Sequence, residues 1–465
     1  MGAEVAPRPP PSAKRRSTTL RFLFELEKPD AGLLPAGTAK LPPPSPEPEA
    51  DSLIGKIASC NRVFTFAAGS AESESERDAK RERLVEVLGA VRSSSNGERP
   101  LDHRVMVALV GMAGANLFRA LPPSAYPAPA PDGVDEDAPA AALAPSWPHL
   151  QLVYDVLLAA VAAADARALR HHVDRAFLSS LLALFASEDP RERDRLKTLY
   201  HQLYSKLTAE RAFMRRSMAA ALLRLVYEAG PAERYCGAAE LLEICGSIIN
   251  GFAVPLKDEH RAFLLRVLLP LHGTRWAHTY HRQLAYCVLQ FLHKEPGLAD
   301  AVVTGILRRW PVTNCQKEVL LIEELEEIID VLQPKQFQNL AVPICSRIAR
   351  CVSSCSSQVA ERALYVWNNE RFLELATSSP GVMEKILPAF VASVESNLET
   401  HWSKCVQQVT TSVKSLLEQV APDLYARCAR CARDLAARRS EAEAAAAVRD
   451  ARWRKIETAA AAAAK

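Results

Sequence analysis

The chain reads as all-α, a curved α-solenoid of HEAT-like helical repeats, and three observations predict this. Apolar residues recur at helical spacing along most of its length, in amphipathic stretches broken by Pro or Gly. Strand-type alternation is nearly absent. The apolar segments VLLPLH, RRWPVT, LAVPIC and KILPAF carry prolines at 270, 311, 343 and 388, spacings of 41, 32 and 45 residues. That is close to the roughly 40-residue period of HEAT-type helix pairs. Such pairs cannot bury their apolar faces singly, but stacked in series they form a curved array with a concave binding surface.

From the N-terminus, residues 1–51 read as a disordered Pro-rich tail, because 11 of the 31 prolines fall before residue 49. Its KRRSTT stretch, Lys14 to Thr19, is a weak basic address at most. Residues 52–436 form the repeat domain. Within it, 121–146 is a Pro-rich exposed loop that carries Asp132, Asp135, Glu136 and Asp137. Residues 437–465 are charged and Ala-rich, which predicts an exposed helix that frays into low complexity.

Residues 187–260 hold the most informative stretch. Leu196, Leu199, Leu203 and Leu207 form one helical stripe, and Met214, Met218, Leu222 and Leu225 form a second. The outward positions of this hairpin are basic. Arg191, Arg193, Arg195, Lys197, Lys206, Arg211, Arg215 and Arg216 stand against Glu192, Asp194 and Glu210, an excess that suits an acidic ligand. In the next helix Leu241, Cys245, Ile249 and Phe252 make a stripe, and Ile244 and Ile248 add a second apolar row. Lys257 and His260 follow just beyond Pro255. An apolar groove rimmed by cations fits a short peptide with hydrophobic anchors and acidic flanks. The plainer alternative is that both rows are buried between neighbouring helices and the cations face water.

Chemistry is not legible in the chain. A net charge of +3 over 465 residues does not favour nucleic acid, and no apolar stretch is long enough to span a bilayer. Eleven cysteines without a preceding signal segment fit reduced thiols in a cytoplasmic or nuclear protein. The pairs Cys351 with Cys355 and Cys428 with Cys431 lack the companion pair a zinc site needs. GSIING has Walker spacing at Gly246 and Gly251, but Phe252 stands where the phosphate-binding Lys belongs. His278 and His281 lie one turn apart with no carboxylate motif to complete a metal set, and read as helix-end histidines. The carboxylates of LIEELEEIID, with Glu323, Glu324, Glu326 and Glu327, read as a wet helix face. No catalytic residue, cofactor or metal is expected.

Longer strings carry a resemblance: SWPHLQLVYD, FASEDPRERDRLKTLYHQLYSKL, ELLEICGSIINGFAVPLKDEH and VAERALYVWNN, continued by HRQLAYCVLQFL, WPVTNCQKEV, ELEEIIDVLQP and THWSKC. In unbroken order over about residues 52–456, they resemble the B-prime regulatory subunits of protein phosphatase 2A. The resemblance implies a non-catalytic α-solenoid that binds the phosphatase scaffold and catalytic subunits and delivers substrates to them. It also implies a groove for the short motif Leu-x-x-Ile-x-Glu. By motif position that groove comprises His201, Gln202, Tyr204, Arg211, Glu243, Ile244, Ile248, Lys257 and His260.

Side-chain type then suggests roles. Ile244, Ile248 and Tyr204 would form pockets for the Leu and Ile anchors. His201 and Arg211 would engage the motif carboxylate, with Glu243 orienting Arg211, while Lys257 and His260 favour acidic or phosphorylated flanks. The family commonly has Arg where this chain has Gln202. Loss of a charge-assisted bond of about 1.5–3 kcal/mol predicts peptide affinity lower by roughly ten- to a hundredfold. A phosphatase-independent solenoid adaptor is the alternative function.

Overall fold

The structure, a computed structural model, describes residues 46–66, 73–96, 101–121, 144–228 and 236–463. Helices run in chain order as α1 (Pro46–Ser59), α2 (Glu74–Asn96), α3 (His103–Leu117), α4 (Trp147–Ala163), α5 (Ala166–His172), α6 (Arg175–Ala183), α7 (Pro190–Lys206), α8 (Arg211–Tyr227), α9 (Ala238–Asn250) and α10 (Asp258–Phe263). A π-helical stretch, Leu264–Leu268, joins α10 to the short α11 (Leu269–Leu271). Then come α12 (Ala277–Lys294), α13 (Ala299–Arg308), α14 (Cys315–Val331), α15 (Pro334–Val352), α16 (Ser357–Leu364), α17 (Glu370–Thr377), α18 (Pro380–Thr400), α19 (Lys404–Val420) and α20 (Pro422–Ala463). No strand occurs among the described residues.

Helix starts follow local chemistry. Asp102, Asp165, Asp174, Asp189, Asn314 and Asn369 each accept a bond from a first-turn backbone N–H, satisfying a donor the helix itself leaves unpaired. Pro190, Pro334 and Pro380 occupy first helical positions, where no N–H is needed.

Packing arranges the helices in two rows. One runs α2, α4, α7, α9, α12, α14, α16, α19, and the other runs α1, α3, α5, then α6, α8, α11, α13, α15, α18, α20. Apart from the step from α5 to α6, each helix packs closely on the next in its own row. The core is therefore a continuous seam, and the architecture is an all-α helical-repeat solenoid. Close approach is enforced by small residues. A Cβ on Gly246 would lie 2.9 Å from the Tyr286 ring, and one on Gly305 would lie 2.7 Å from Leu269 Cδ1. The first glycine of GSIING therefore packs α9 against α12.

Several expectations need correction. The first helix begins at Pro46, ahead of the boundary at 52, and α20 runs unbroken across the boundary at 436. The 1–45 part of the tail, with KRRSTT, and most of the 121–146 loop lie outside the described residues. The proline period is also uneven in origin: Pro270, Pro343 and Pro388 sit within α11, α15 and α18 of one row, whereas Pro311 lies in the turn after α13.

The carboxylates of LIEELEEIID are not all wet. Glu324 is fully buried, with Oε1 3.0 Å from His272 Nε2 and Oε2 2.8 Å from His281 Nε2. His281 is therefore a core residue, while His278 is half-buried beside Trp276. His272 Nδ1 lies 3.0 Å from the Leu269 carbonyl. A carbonyl and a carboxylate both only accept, so His272 must donate from both nitrogens and carry positive charge. Burial alone would depress His272, but the Glu324 charge and hydrogen bond raise it. Burial would likewise raise Glu324, yet His272 and His281 hold its carboxyl down at about 2. Among the described residues this is the one group of three His, Cys or carboxylate side chains whose ligand-type atoms lie within 4.8 Å of one another. Both carboxylate oxygens, both His272 nitrogens and His281 Nε2 have hydrogen-bond partners, so an internal ion pair accounts for the group.

Candidate functional site

The residues assigned to the groove by motif position lie on α7, the start of α8, α9 and the start of α10, and of them Ile248 and His260 line one cavity. The predicted stripes hold: Leu196, Leu199, Leu203 and Leu207 are buried, as are Met214, Met218, Leu222 and Leu225. Both rows on α9 are buried too, Ile244 at 1% exposure and Ile248 at 7%. One turn separates them, and it decides their roles. Ile244 sits in the core, whereas Ile248 lines a cavity of about 110 Å³ between α8, α9 and α10. Met218, Ile249, Phe252 and Phe263 give that cavity its apolar wall, and Arg215, Arg216, Glu259 and His260 lie at its polar side. Cys245 also faces it, with burial pushing the thiol up to about 12, so the sulfur stays protonated and behaves as an apolar group.

The basic excess of the hairpin is largely satisfied within the fold. Arg193 pairs with Glu240 at 2.8 Å, Lys197 with Glu243 at 2.9 Å and Arg191 with Asp189 at 2.8 Å. Lys206 donates to the carbonyls of Ala162 and Ala164, and Arg215 pairs with Glu259 at 3.0 Å. Arg216 is exposed and bonds only to its own helix, at the Ala212 carbonyl. Lys257, at the N-cap of α10, is exposed as well. These two are the cations most available to a ligand.

Arg211 and Glu243 do not meet as expected. Arg211 donates to the Tyr204 and Ser205 carbonyls and stacks over the Tyr204 ring at 5.3 Å. The last carbonyls of α7 need donors, and Arg211 opens the next helix within reach. Glu243 is held instead by Lys197 and by Gln283 of α12. Tyr204 is buried at 9% exposure, and its hydroxyl accepts from Arg215 at 3.1 Å.

His201 is half-buried, with Nε2 2.9 Å from Ser247 Oγ on α9, and burial lowers its pKa. Burial also lowers His260, which stacks face to face on Phe252 at 3.7 Å. Both imidazoles are therefore neutral near pH 7, so Lys257 rather than His260 supplies charge at that end. Polar capacity is left over here. Gln202 Oε1, His260 Nδ1, Tyr200 Oη and Glu240 Oε2 are buried atoms with no hydrogen-bond partner.

Sequence reasoning missed Ser247 and Gln283, and counted Arg215 among the hairpin cations without placing it beside Tyr204 and the cavity. Ser247 stands one turn beyond Glu243 and Arg215 one turn beyond Arg211, so helical spacing could have found both. Gln283 lies on α12, and no local signal points to it.

Two rows of stacked helices with a continuous core and a small apolar cavity define a helical-repeat solenoid. Residues 38–460 match the protein phosphatase 2A regulatory B subunit (B56) family, and the chain belongs to that family. It is 40% identical over 392 residues to the B′ beta isoform of the serine/threonine protein phosphatase 2A 57 kDa regulatory subunit of Arabidopsis thaliana, covering 84% of this chain and 77% of the relative. The 55 kDa B′ delta isoform of the same plant is 42% identical over 377 residues, 81% of this chain and 77% of its own. The 57 kDa B′ kappa isoform is 39% identical over 431 residues, 91% and 83% respectively. The chain is a B′-type regulatory subunit and not the catalytic enzyme.

Proposed function

We propose that this subunit joins the scaffold and catalytic subunits of protein phosphatase 2A in a heterotrimer, in the cytoplasm or nucleus, and recruits substrates through the α7–α10 groove. The occupant of that groove is a Leu-x-x-Ile-x-Glu peptide. The observation that carries this reading is the apolar cavity at Ile248, with Arg216 at its edge and His201 and Lys257 nearby on the groove elements. An aliphatic anchor fits a cavity of about 110 Å³, and an apolar cavity of about 150 Å³ accepts a benzene ring.

Docking works by tethering: a peptide held in the groove raises the local concentration of nearby phosphosites at the catalytic subunit. His201 takes a proton as the motif carboxylate arrives, exchanging its bond to Ser247 for a charged one. The test is size-exclusion chromatography of the full chain with recombinant scaffold and catalytic subunits, followed by titration with a labelled Leu-x-x-Ile-x-Glu peptide. A co-migrating trimer and saturable binding are expected. Failure to form the trimer with folded components would leave a phosphatase-independent adaptor as the better reading.

A further inference from the structure

The groove has an occupant candidate within the same polypeptide. Residues 20–27 read Leu-Arg-Phe-Leu-Phe-Glu-Leu-Glu, five large apolar residues followed and interleaved by Glu25 and Glu27. This stretch precedes the family-matched region, which begins at 38. It is the only place in the chain where Leu or Ile stands three residues after a Leu with Glu two further on: Leu20, Leu23, Glu25. So concentrated an apolar cluster favours any surface that removes it from water.

The groove offers the matching chemistry. Its cavity is walled by Met218, Ile248, Ile249, Phe252 and Phe263, and its most accessible cations are Arg216 and Lys257. Reach is sufficient. About twenty residues separate Glu25 from α1, a span of up to roughly 70 Å when extended. From α1 to α9 the path crosses α3, α4 and α7, about 40 Å at 8–10 Å per helix-to-helix step.

We propose that residues 20–25 dock in the chain's own α7–α10 groove, with Leu20 and Leu23 as apolar anchors and Glu25 at the cationic edge, and so compete with substrate peptides. The proposal rests on the peptide-groove reading given above. A short tether sets an effective concentration on the order of 1 mM, so a segment that binds at about 100 µM as a free peptide is docked roughly nine-tenths of the time. An incoming peptide then binds about tenfold more weakly than it would to an empty groove.

Two measurements on the full chain test this. In the first, a labelled Leu-x-x-Ile-x-Glu peptide is titrated into the unaltered chain and into a Leu20→Ala, Leu23→Ala, Glu25→Ala variant, whose changes lie ahead of the helical domain. Affinity about tenfold higher for the variant is expected, and equal affinities overturn the proposal while leaving the groove reading in place. In the second, a photo-crosslinking residue replaces Phe24, and adducts are mapped by mass spectrometry. Intrachain adducts within 212–263 are expected; adducts elsewhere, none, or only between chains overturn the intrachain arrangement. If neither chain binds the labelled peptide but the adducts fall within 212–263, the motif reading fails and tail docking stands.

Discussion

Two clusters built from the same side chains behave in opposite ways. Around Glu324, His272 and His281 close on one carboxylate, and both carboxylate oxygens are bonded. Around the α7–α10 groove, His201 and His260 are neutral, Gln202 Oε1 and His260 Nδ1 have no partner, and an apolar cavity lies alongside. Residue type does not distinguish a cluster whose polar atoms are all paired from one that leaves some unpaired. Unmade bonds in buried positions are the capacity a ligand can use.

The sharpest way to break that contrast is at Glu324. Replacing it with Ala leaves His272 a buried charge without its carboxylate, and about 3–5 kcal/mol of stability should be lost in urea unfolding. A loss below about 1 kcal/mol would remove the ion pair from the account of the core. The pH dependence has a definite sign. Glu324 is depressed, so its contribution is complete above its unfolded value near 4.5 and fades as pH falls toward 2. His272 is raised, so its contribution is complete below its unfolded value near 6.5 and fades as pH rises through its folded value. The gap between the unaltered chain and a Glu324→Gln variant should therefore narrow below pH 4.5.

The next largest effect belongs to the groove. Gln202→Arg supplies a charged donor, and motif-peptide affinity should rise by roughly ten- to a hundredfold, from a bond of about 1.5–3 kcal/mol. An unchanged dissociation constant removes Gln202 from the explanation. A smaller effect follows from His201. Its pKa is lowered in the free groove, and a bound carboxylate favours its charged form, so binding takes up a proton. Affinity should rise a few-fold as pH falls from 8 to 6, with calorimetry in two buffers reporting the proton; His201→Asn should flatten the profile. Smallest is the exposed rim. Arg216→Ala or Lys257→Ala should weaken binding by less than about 1 kcal/mol, and the variants should converge with the unaltered chain at high salt.

The fold is legible in the sequence where periodicity carries the information. The stripes on α7, α8 and α9 fall on buried positions because helical geometry alone puts i, i+3, i+4 and i+7 on one face. Pairings across the stack are not legible. Nothing local joins His272 to Glu324, 52 residues on, or Glu243 to Gln283, 40 residues on. The same limit hides the partner of Arg211, which is the nearest unpaired helix end rather than a carboxylate. Motif position supplies the expected site list; the contacts each of those side chains makes depend on the neighbouring helices, as Glu243 with Gln283 of α12 shows.

The last helix has a mechanical consequence. Of α20, Tyr425 and Ala429 are buried against the stack, nearly every described side chain beyond is exposed through Ala461, and the helix runs on to Ala463. Some 34 residues at 1.5 Å each make an arm of roughly 50 Å, so a tilt of about 10° at its root moves the tip by about 9 Å. Helical arrays stacked neighbour to neighbour bend by small increments at each joint. A rotation of that size at the last joint would carry the tip nearly a helix diameter, so the arm works as a lever on any bending of the stack.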